Sequence, residues 1–266
     1  MSCNICGHSV HKVFEAKIMN RYQISYYFCD SCHFLQTEEP YWLEEAYQDA
    51  INCSDTGILT RNLDLSKQAA AIIFCLFDKQ RIFLDYAGGY GILTRLMRDL
   101  GFDYYWFDLY AKNIFAQGFD YHPGIGEIEL VTSFESFEHF PKPIEEIEKM
   151  LDFSKNILFS TELLPSPVPQ SGGWWYYGLD HGQHISFYSK NTLKYIAKKY
   201  RLQLYTQYSL HLLTDKKINP LFFRFILRMS RLGLHKFISR SLRSKTFGDM
   251  QLIKERCIRD MLDCNH

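Results

Sequence analysis

The amino-acid sequence predicts an α/β fold, in which a doubly wound, mostly parallel sheet is joined to a small N-terminal module and a helical C-terminal appendage. Three observations support this prediction. Between residues 79 and 214, short apolar strand patterns alternate with segments of helical periodicity. A glycine-rich turn at residues 87–91 separates one of these strands from the helix that follows it. Two pairs of cysteines stand near the N-terminus, outside the alternating region.

The alternating region accounts for most of the predicted elements. We expect strands at 81–86, 104–108, 128–134, 156–161 and 202–208. Helices are expected at 92–100, at 143–150, where proline suits the first turn, and at 191–200, where Ser189 or Asn191 can provide the cap. Residues 38–73 also follow a helical pattern, with apolar pairs such as Ala50-Ile51. The expected parts are therefore a cysteine module (1–36), a helical segment (37–78), the sheet domain (79–214) and a basic helical appendage (215–266).

Composition favours a globular protein with a large core, because 47% of the residues are hydrophobic and the net charge is zero. A neutral chain argues against a protein that mainly binds nucleic acid. The longest apolar run, residues 69–77, has about half the length that a membrane span requires. Residues 1–6 show neither the basic nor the apolar region of a signal peptide. These features predict a cytoplasmic protein that is not an integral membrane protein.

Four of the eight cysteines form two Cys-x-x-Cys pairs: Cys3, Cys6, Cys29 and Cys32. Each pair places two sulfurs on one side of a tight turn, and two facing turns complete a tetrahedral zinc site. Two disulfides or unligated thiols are the alternatives, although a reducing compartment disfavours disulfides. Four thiolates leave no open coordination position, so the zinc would be structural, and its removal should unfold the small module. The remaining cysteines are scattered and are interpreted as incidental or buried thiols: Cys53, Cys75, Cys257 and Cys264.

The glycine-rich turn has the properties of a nucleotide-type cofactor site. Its residues carry small side chains or none, so a ligand can approach the backbone closely. The N–H groups at the start of the following helix add partial positive charge. Its spacing fits neither the dinucleotide fingerprint nor the P-loop. The next predicted strand ends in Asp108, about twenty residues further on, where doubly wound folds place an acid that binds ribose hydroxyls. A solvated or helix-capping role is the alternative for Asp108.

The run Asp85-x-Ala-x-Gly-x-Gly resembles the first motif of class I S-adenosylmethionine (SAM) methyltransferases, with Ala87 where glycine is usual. The resemblance implies a Rossmann-like sheet and SAM as the cofactor. Asp55-Thr-Gly-x-x-x-Arg61-Asn62 also resembles the helical segment that such enzymes place over the cofactor, where an arginine can meet the methionine carboxylate. The implied cofactor-binding residues are Arg61, Asp85, Tyr86, Ala87, Gly88, Gly89, Gly91, Asp108, Leu109, Phe134 and Glu135.

Acid and histidine side chains follow the strand at 128–134, in the run Glu135-Ser-Phe-Glu138-His139. The carboxyl end of a strand borders the ligand crevice of an α/β sheet, so Glu138 and His139 are candidates for removing a proton from a methyl acceptor. The run also resembles one in ubiquinone-biosynthesis O-methyltransferases. Its oxygen and nitrogen ligands suit a divalent cation at Glu135, Glu138 and His139. Hydrogen bonding around the turn is the alternative role.

A long loop after residue 161 combines prolines and glycines with the aromatic run 174–177 and two histidines, His181 and His184. Aromatic side chains in such a loop suit a substrate lid. The two histidines are further candidates for proton transfer, and His184 is taken with Glu138 and His139 as a catalytic residue. A structural role is the alternative for each histidine.

The cysteine pairs, the glycine turn, Glu138-His139 and His184-Ile-Ser-Phe-Tyr188 together resemble bacterial methyltransferases with an N-terminal zinc-binding module, found in sugar and polysaccharide pathways. The resemblance implies methyl transfer to a small acceptor, a hydroxyl or a carbon acid, such as a nucleotide-linked sugar. The alternative is a non-catalytic protein that uses the same parts to bind a protein or RNA partner. The basic C-terminal segment is interpreted either as a packed appendage or as a peripheral contact with an anionic membrane.

Overall fold

The computed structural model describes residues 1–47 and 55–263, with side chains described through residue 259. Cys53, Cys264 and the Ala50-Ile51 pair of the helical pattern lie outside these residues. The strands are β1 His11–Ile18, β2 Tyr22–Phe28, β3 Leu35–Thr37, β4 Ile82–Tyr86, β5 Asp103–Phe107, β6 Ile128–Ser133, β7 Ile157–Ser160, β8 Ser186–Phe187, β9 Gln203–Gln207 and β10 Leu210–Thr214. The helices are α1 Leu43–Ala46, α2 Ile58–Leu76, α3 Ile92–Asp99, α4 Pro143–Phe153, α5 Lys190–Lys199, α6 Pro220–Arg231, α7 Leu234–Ser241 and α8 Thr246–Asp263.

Two sheets organise the described strands. The smaller sheet has the order β1-β2-β3-β8 and is antiparallel throughout. The larger sheet has the order β5-β4-β6-β7-β10-β9. Its β4–β5 and β6–β7 pairs are parallel, whereas β10 is antiparallel to both β7 and β9. The predicted α/β class with a mostly parallel central sheet is therefore confirmed.

The predicted positions of the strands in the larger sheet agree with the structure within about two residues, but β10 was not predicted. Its five residues, Leu-His-Leu-Leu-Thr, are all buried. It follows β9 after a connection in which Tyr208 has a φ of 54°. The left-handed region usually calls for glycine or asparagine, so a tyrosine there gives no sequence signal for a hairpin turn.

The described chain divides into two compact units, and the four-part organisation expected from the sequence stays a prediction. The first unit comprises Met1–Thr56 and Leu130–Ile218, and the second comprises Gly57–Glu129 and Asn219–His266. In the first unit, the smaller sheet shares a hydrophobic core with the loop that follows β7. This core includes Phe14, Tyr26, Leu164, Tyr176, Tyr177 and Phe187.

The aromatic run 174–177 is therefore only partly available as a substrate lid. Tyr176 and Tyr177 are buried in the core of the first unit, and the Tyr177 ring lies 5.3 Å from that of Phe14. Trp175, in contrast, is 77% exposed. The glycine and proline residues around the run marked a loop correctly, but they cannot reveal that its tyrosines pack against a distant strand.

In the second unit, a buried ion pair attaches the last helix to α3. Arg98, 4% exposed, donates through Nε and Nη2 to the two carboxylate oxygens of Asp249, each at 2.8 Å. Arg95 adds a third bond to Asp249, at 2.9 Å. A bidentate pair of this kind fixes both position and orientation, so the start of α8 is held in one place. Among the described residues, no helix is long and apolar enough to cross a membrane.

Candidate functional site

The four paired cysteines come together in the first unit, and their ligand atoms all lie within 4.8 Å of one another. The Sγ atoms of Cys3 and Cys32 are 3.5 Å apart, and those of Cys6 and Cys29 are 3.4 Å apart. A disulfide would require about 2.05 Å, so neither pair is bonded. The edges of a tetrahedron with zinc–sulfur bonds of about 2.3 Å measure about 3.8 Å, close to these separations.

Both cysteine turns are closed by backbone hydrogen bonds and a left-handed residue. The N–H of Gly7 donates to the carbonyl of Cys3, and the N–H of His33 donates to the carbonyl of Cys29, at 2.9 and 2.7 Å. Gly7 and His33 have φ values of 76° and 58°. This conformation turns the chain tightly enough to bring the two sulfurs of each pair to one side. The expected clustering of Cys3, Cys6, Cys29 and Cys32 is thus present.

The glycine turn lies in the second unit, directly after β4. Ala87 has a φ of 56°, a value that costs a non-glycine residue about 1 kcal/mol or more. Gly88 is required by packing, because a Cβ there would lie 2.7 Å from Trp106 Cδ1 and 2.9 Å from Asp85 Oδ2. At Gly89 a Cβ would meet nothing within 4 Å. The turn is therefore tightly packed on one side and open at Gly89, as a ligand cradle needs to be.

Two acids hold this turn in place. Asp85 is buried and accepts a hydrogen bond from the Thr94 hydroxyl of α3 at 3.0 Å. Asp108 accepts from the backbone N–H of Gly89 at 2.9 Å through one carboxylate oxygen. Its other oxygen accepts from the N–H groups of Tyr110 and Ala111, each at 2.8 Å. Asp108 thus fixes the tip of the glycine turn relative to the end of β5, and it keeps lone pairs for further donors.

The remaining predicted cofactor residues are distributed between the two units. Arg61 lies on α2, Tyr86 is buried at the end of β4, and Leu109 is 62% exposed beside Asp108; all three belong to the second unit. Phe134 and Glu135 belong to the first unit. Glu135 has a φ of 51°, and its carboxylate accepts a hydrogen bond from the Ser160 hydroxyl at 2.6 Å.

The three predicted catalytic residues form one cluster in the first unit. Glu138, His139 and His184 place ligand-type atoms within 4.8 Å of one another. The rings of His139 and His184 are 4.9 Å apart at a steep angle. Their Nδ1 atoms face backbone carbonyls, that of Gln183 at 3.1 Å and that of Tyr176 at 2.6 Å. A carbonyl only accepts, so each Nδ1 carries the proton and each Nε2 carries the lone pair of a base.

The predicted cation site differs from this cluster by one residue. The sequence pattern joined Glu135 to Glu138 and His139, whereas the group that the structure brings together contains His184 instead. Residues 135–139 are close in sequence, but the Glu135 side chain bonds to Ser160 of β7. His184 reaches the cluster from the loop after β7, and the spacing of the motif gives no sign of this.

Burial decides the protonation states in the cluster. Burial, with the negative charge of Glu135, raises the pKa of Glu138 to about 8. Burial lowers the pKa of His139 to about 4. Oε2 of Glu138 is buried without a hydrogen-bond partner among the described residues, which agrees with a protonated acid at neutral pH. His139 is then neutral and able to accept a proton.

Sequence reasoning missed two residues around this cluster. The Tyr176 ring lies 4.7 Å from that of His184, and its hydroxyl is 3.2 Å from the Thr161 hydroxyl. Thr161 directly follows β7 and is completely buried. A threonine at the end of a buried strand is a usable signal, because that end borders the ligand crevice of an α/β sheet. Tyr176 gave no such signal, since its run was interpreted as a substrate lid.

The protonated state of Glu138 makes the stability of the protein depend on pH. The folded pKa lies above the unfolded value, so this carboxyl contributes most to stability below about pH 4.5, and the contribution is lost as the pH rises to about 8. Between pH 6.5 and 8, we expect the free energy of unfolding to fall by up to about 1.4 kcal/mol per pH unit. Glu138→Gln, which cannot titrate, should flatten this slope. Urea denaturation at both pH values measures the difference.

The control for this measurement is Glu145→Gln, since Glu145 is an exposed carboxylate in the first turn of α4. His139 does not interfere in this window, because a group with a lowered pKa affects stability mainly below its unfolded value of about 6.5. Equal slopes for wild type and Glu138→Gln would contradict a protonated Glu138.

A sheet with a glycine turn between strand and helix, and an acid at the end of the next strand, is typical of proteins that bind a nucleotide-type cofactor. The particular family follows from a sequence comparison: a family profile described as methyltransferase domain matches residues 59–207, more than half of the chain. The chain therefore belongs to this methyltransferase domain family. A comparison with curated proteins gives no match.

Several solved methyltransferase structures resemble the chain. The plantazolicin methyltransferase BpumL, in complex with SAH, is 11% identical, with 77% of this chain and 91% of that chain covered and a TM-score of 0.46. Magnesium protoporphyrin IX methyltransferase from Synechocystis, with bound SAH, is 10% identical, with 65% of this chain and 92% of that chain covered and a TM-score of 0.41. Human N-acetylserotonin methyltransferase, in complex with SAM, is 14% identical, with 66% of each chain covered and a TM-score of 0.40. Some matches cover less than two thirds of the known protein, for example 60% of TnmH.

Proposed function

We propose that the protein is a SAM-dependent methyltransferase that acts on a small-molecule acceptor, a hydroxyl or a carbon acid such as that of a nucleotide-linked sugar. Membership of the methyltransferase domain family supports the reaction class. The observation that carries the choice of cofactor is the bond from Gly89 N–H to Asp108. It holds an open glycine turn and a strand-end carboxylate together in the arrangement that suits a nucleoside.

The proposed cofactor residues have distinct tasks. Gly89 lets the cofactor approach the backbone, whereas Gly88 and Gly91 keep the turn tight, because an added Cβ at either would meet Asp85 or Asn113. Asp108 accepts from the ribose hydroxyls while it fixes the turn. Arg61 is proposed to meet the methionine carboxylate. Tyr86, Leu109, Phe134 and Glu135 complete the proposed set, together with Asp85 and Ala87. When bound, SAM supplies a methyl group on a positively charged sulfonium, already activated for transfer.

The chain itself has to orient the acceptor, exclude water and remove a proton. We assign proton removal to Nε2 of His139 or of His184, because the Nδ1 atom of each ring is directed at a carbonyl. As the acceptor oxygen or carbon forms its bond to the methyl group, the bond between that group and the sulfonium sulfur would break, leaving a neutral thioether, and the acceptor's proton would move to that histidine nitrogen.

We also propose one structural zinc ion on Cys3, Cys6, Cys29 and Cys32. The sulfur separations support this, because they suit a tetrahedral ion and exclude both disulfides. The alternative function, a non-catalytic protein that binds a protein or RNA partner, has no specific feature of the described residues in its favour.

The cofactor proposal is tested by calorimetry with SAM and S-adenosylhomocysteine. The purified wild-type protein should bind both, and Gly91→Ala should weaken binding at least tenfold. Gly91 has a φ of 84°, and an added Cβ would lie 2.7 Å from Asn113 Oδ1. The turn would therefore have to shift, and a displacement of this kind disrupts a cofactor cradle.

Gly172→Ala is the matched control. Gly172 has a φ of 78°, and an added Cβ there would meet nothing within 4 Å, so this variant has the same backbone strain without the clash. The control should bind SAM as wild type does. Absence of binding of either ligand by the wild-type protein would remove the proposal.

A further inference from the structure

The stretch from residue 216 to residue 248, which we call the basic stretch, has an unusual charge for this chain. It contains nine lysines and arginines and no aspartate or glutamate, although the whole protein has a net charge of zero. It includes α6 and α7, both of which pack against α2 within the second unit. The positive charge is therefore displayed on a folded helical surface.

Helix α6 has three distinct sides. Phe223, Ile226, Leu227 and Ser230 are buried at helical spacing and attach the helix to its unit. Large apolar side chains face outwards on a second side, where Leu221 is 71% and Phe225 56% exposed. Exposed arginines, Arg224 and Arg228, occupy a third side next to them. A soluble helix normally places its apolar residues on the packed side alone, so the apolar outer side requires an explanation.

Helix α7 and the turn before it also expose both apolar and basic side chains. Ile238 is the buried residue of α7, whereas Phe237 is 60% exposed. Lys236 and Arg240, four residues apart, are exposed next to each other on the neighbouring side of the helix. Leu232, in the turn that joins the two helices, is 71% exposed. The apolar side chains and the cations thus extend together over both helices.

We propose that α6 and α7 form a docking surface for an anionic phospholipid membrane. Phe222, Phe225, Leu232 and Phe237 would enter the boundary between headgroups and acyl chains, and the arginines and lysines would meet the lipid phosphates. Amphipathic helices that lie in a membrane interface combine apolar side chains and cations in this way. Each lysine or arginine close to an anionic surface raises the partition coefficient about fivefold.

Two other partners fit the surface less well. In a symmetric dimer the same cations would face each other across the two-fold axis, and no acid lies within the basic stretch to neutralise them. Single-stranded nucleic acid is bound by cations and stacking aromatic rings, which Phe222, Phe225 and Phe237 could supply, but it would leave Leu221 and Leu232 exposed to water. A lipid surface would cover the rings and the leucines and also meet the cations.

The test is co-sedimentation of the full-length protein with vesicles of phosphatidylcholine, alone or mixed equally with phosphatidylglycerol. We expect binding to the mixed vesicles and little to phosphatidylcholine alone. Binding should weaken as the salt concentration rises from about 50 mM to about 500 mM, because charge attraction is then screened. The double variants Phe222→Ser/Phe225→Ser and Arg224→Gln/Arg228→Gln should each lose at least tenfold in partitioning.

Matched controls replace similar residues elsewhere. Met250→Ser/Ile258→Ser removes exposed apolar side chains of α8, and Lys142→Gln/Lys155→Gln removes exposed cations of the first unit. Both should partition as wild type does, and thermal unfolding checks that every variant is folded. The proposal is overturned if the wild-type protein ignores the mixed vesicles. Two other outcomes also overturn it. The first is that the wild-type protein sediments as a dimer that the α6 variants abolish, and the second is that it binds an RNA oligonucleotide and the α6 variants do not.

Discussion

Replacing His139 with alanine is expected to lower kcat by about 10²- to 10⁴-fold while the affinity for SAM changes little, because a positioned base contributes that much and the cofactor depends on other residues. The glycine turn and Asp108, which we propose to hold SAM, belong to the second unit, whereas His139 belongs to the first. The assay measures S-adenosylhomocysteine formation with a panel of nucleotide-linked sugars, and calorimetry measures SAM binding. Free imidazole should partly restore the activity of His139→Ala, which a purely structural role would not allow.

His184→Ala is the necessary comparison, since its ring presents the same Nε2 geometry 4.9 Å away. The pH dependence of kcat/KM tests whether His139 is the base. A base with the pKa of His139, about 4, remains unprotonated above about pH 5, so kcat/KM should show no acidic limb between pH 5 and 7 if His139 takes the proton. His11→Ala, at an exposed histidine of β1, is the control for the substitution itself. If both His139→Ala and His184→Ala keep wild-type turnover, neither is the base.

The local features of the fold could be predicted from the sequence. β4, α3 and β5 follow from apolar periodicity and from the glycine turn between them. Ser189 was one of two predicted caps for α5, and its side chain indeed accepts from the N–H of Thr192. These elements are specified by residues that are neighbours in the chain, so one sequence contains enough information to place them.

The features that were missed depend on distant partners. β8 is only two residues long and exists because Phe187 pairs with Leu35, far away in the sequence. The Arg98–Asp249 pair joins residues that are 151 positions apart. Neither has a local pattern, since two residues carry no periodicity and an isolated arginine is usually a surface residue.

The candidate site likewise combines features that neighbouring residues specify with features that depend on distant contacts. The motif around Glu138 and His139 identified two members of the proposed catalytic cluster, and the glycine turn identified the proposed cofactor site. The sequence also indicated His184 as a catalytic candidate, but it did not indicate which residues surround that side chain. Its position beside His139 depends on the path of that loop, which is set by burial of Tyr176 and Tyr177 against the smaller sheet.

Removing the proposed zinc ion is expected to have the largest effect on folding. Structural zinc sites in small modules have apparent binding energies of about 10–16 kcal/mol, comparable to the total stability of a typical domain. The second cysteine turn also supports α5, because the Thr192 hydroxyl donates to the carbonyl of Cys32 at 2.9 Å. We therefore expect the loss to begin at residues 3–9 and 29–34 and at the start of α5, where hydrogen exchange should rise first.

Metal analysis of wild-type protein purified without chelator should give one zinc ion per chain, and Cys32→Ser should lose most of it. Cys75→Ser is the matched control, since Cys75 is an exposed thiol of α2 outside the cluster, and it should keep both zinc and stability. Wild-type protein without zinc would refute the assignment, as would Cys32→Ser with unchanged metal content.

The zinc-depleted protein also tests how far the proposed cofactor site depends on the first unit. Asp85, Gly88, Gly89, Gly91 and Asp108 all belong to the second unit, and the bonds that hold the turn join residues of that unit alone. SAM binding should therefore weaken much less than the stability of the first unit, while methyl transfer, which needs the histidines, is lost. If zinc removal abolishes SAM binding in step with unfolding of residues 3–34, then Phe134, Glu135 or their neighbours contribute more to cofactor affinity than the glycine turn does.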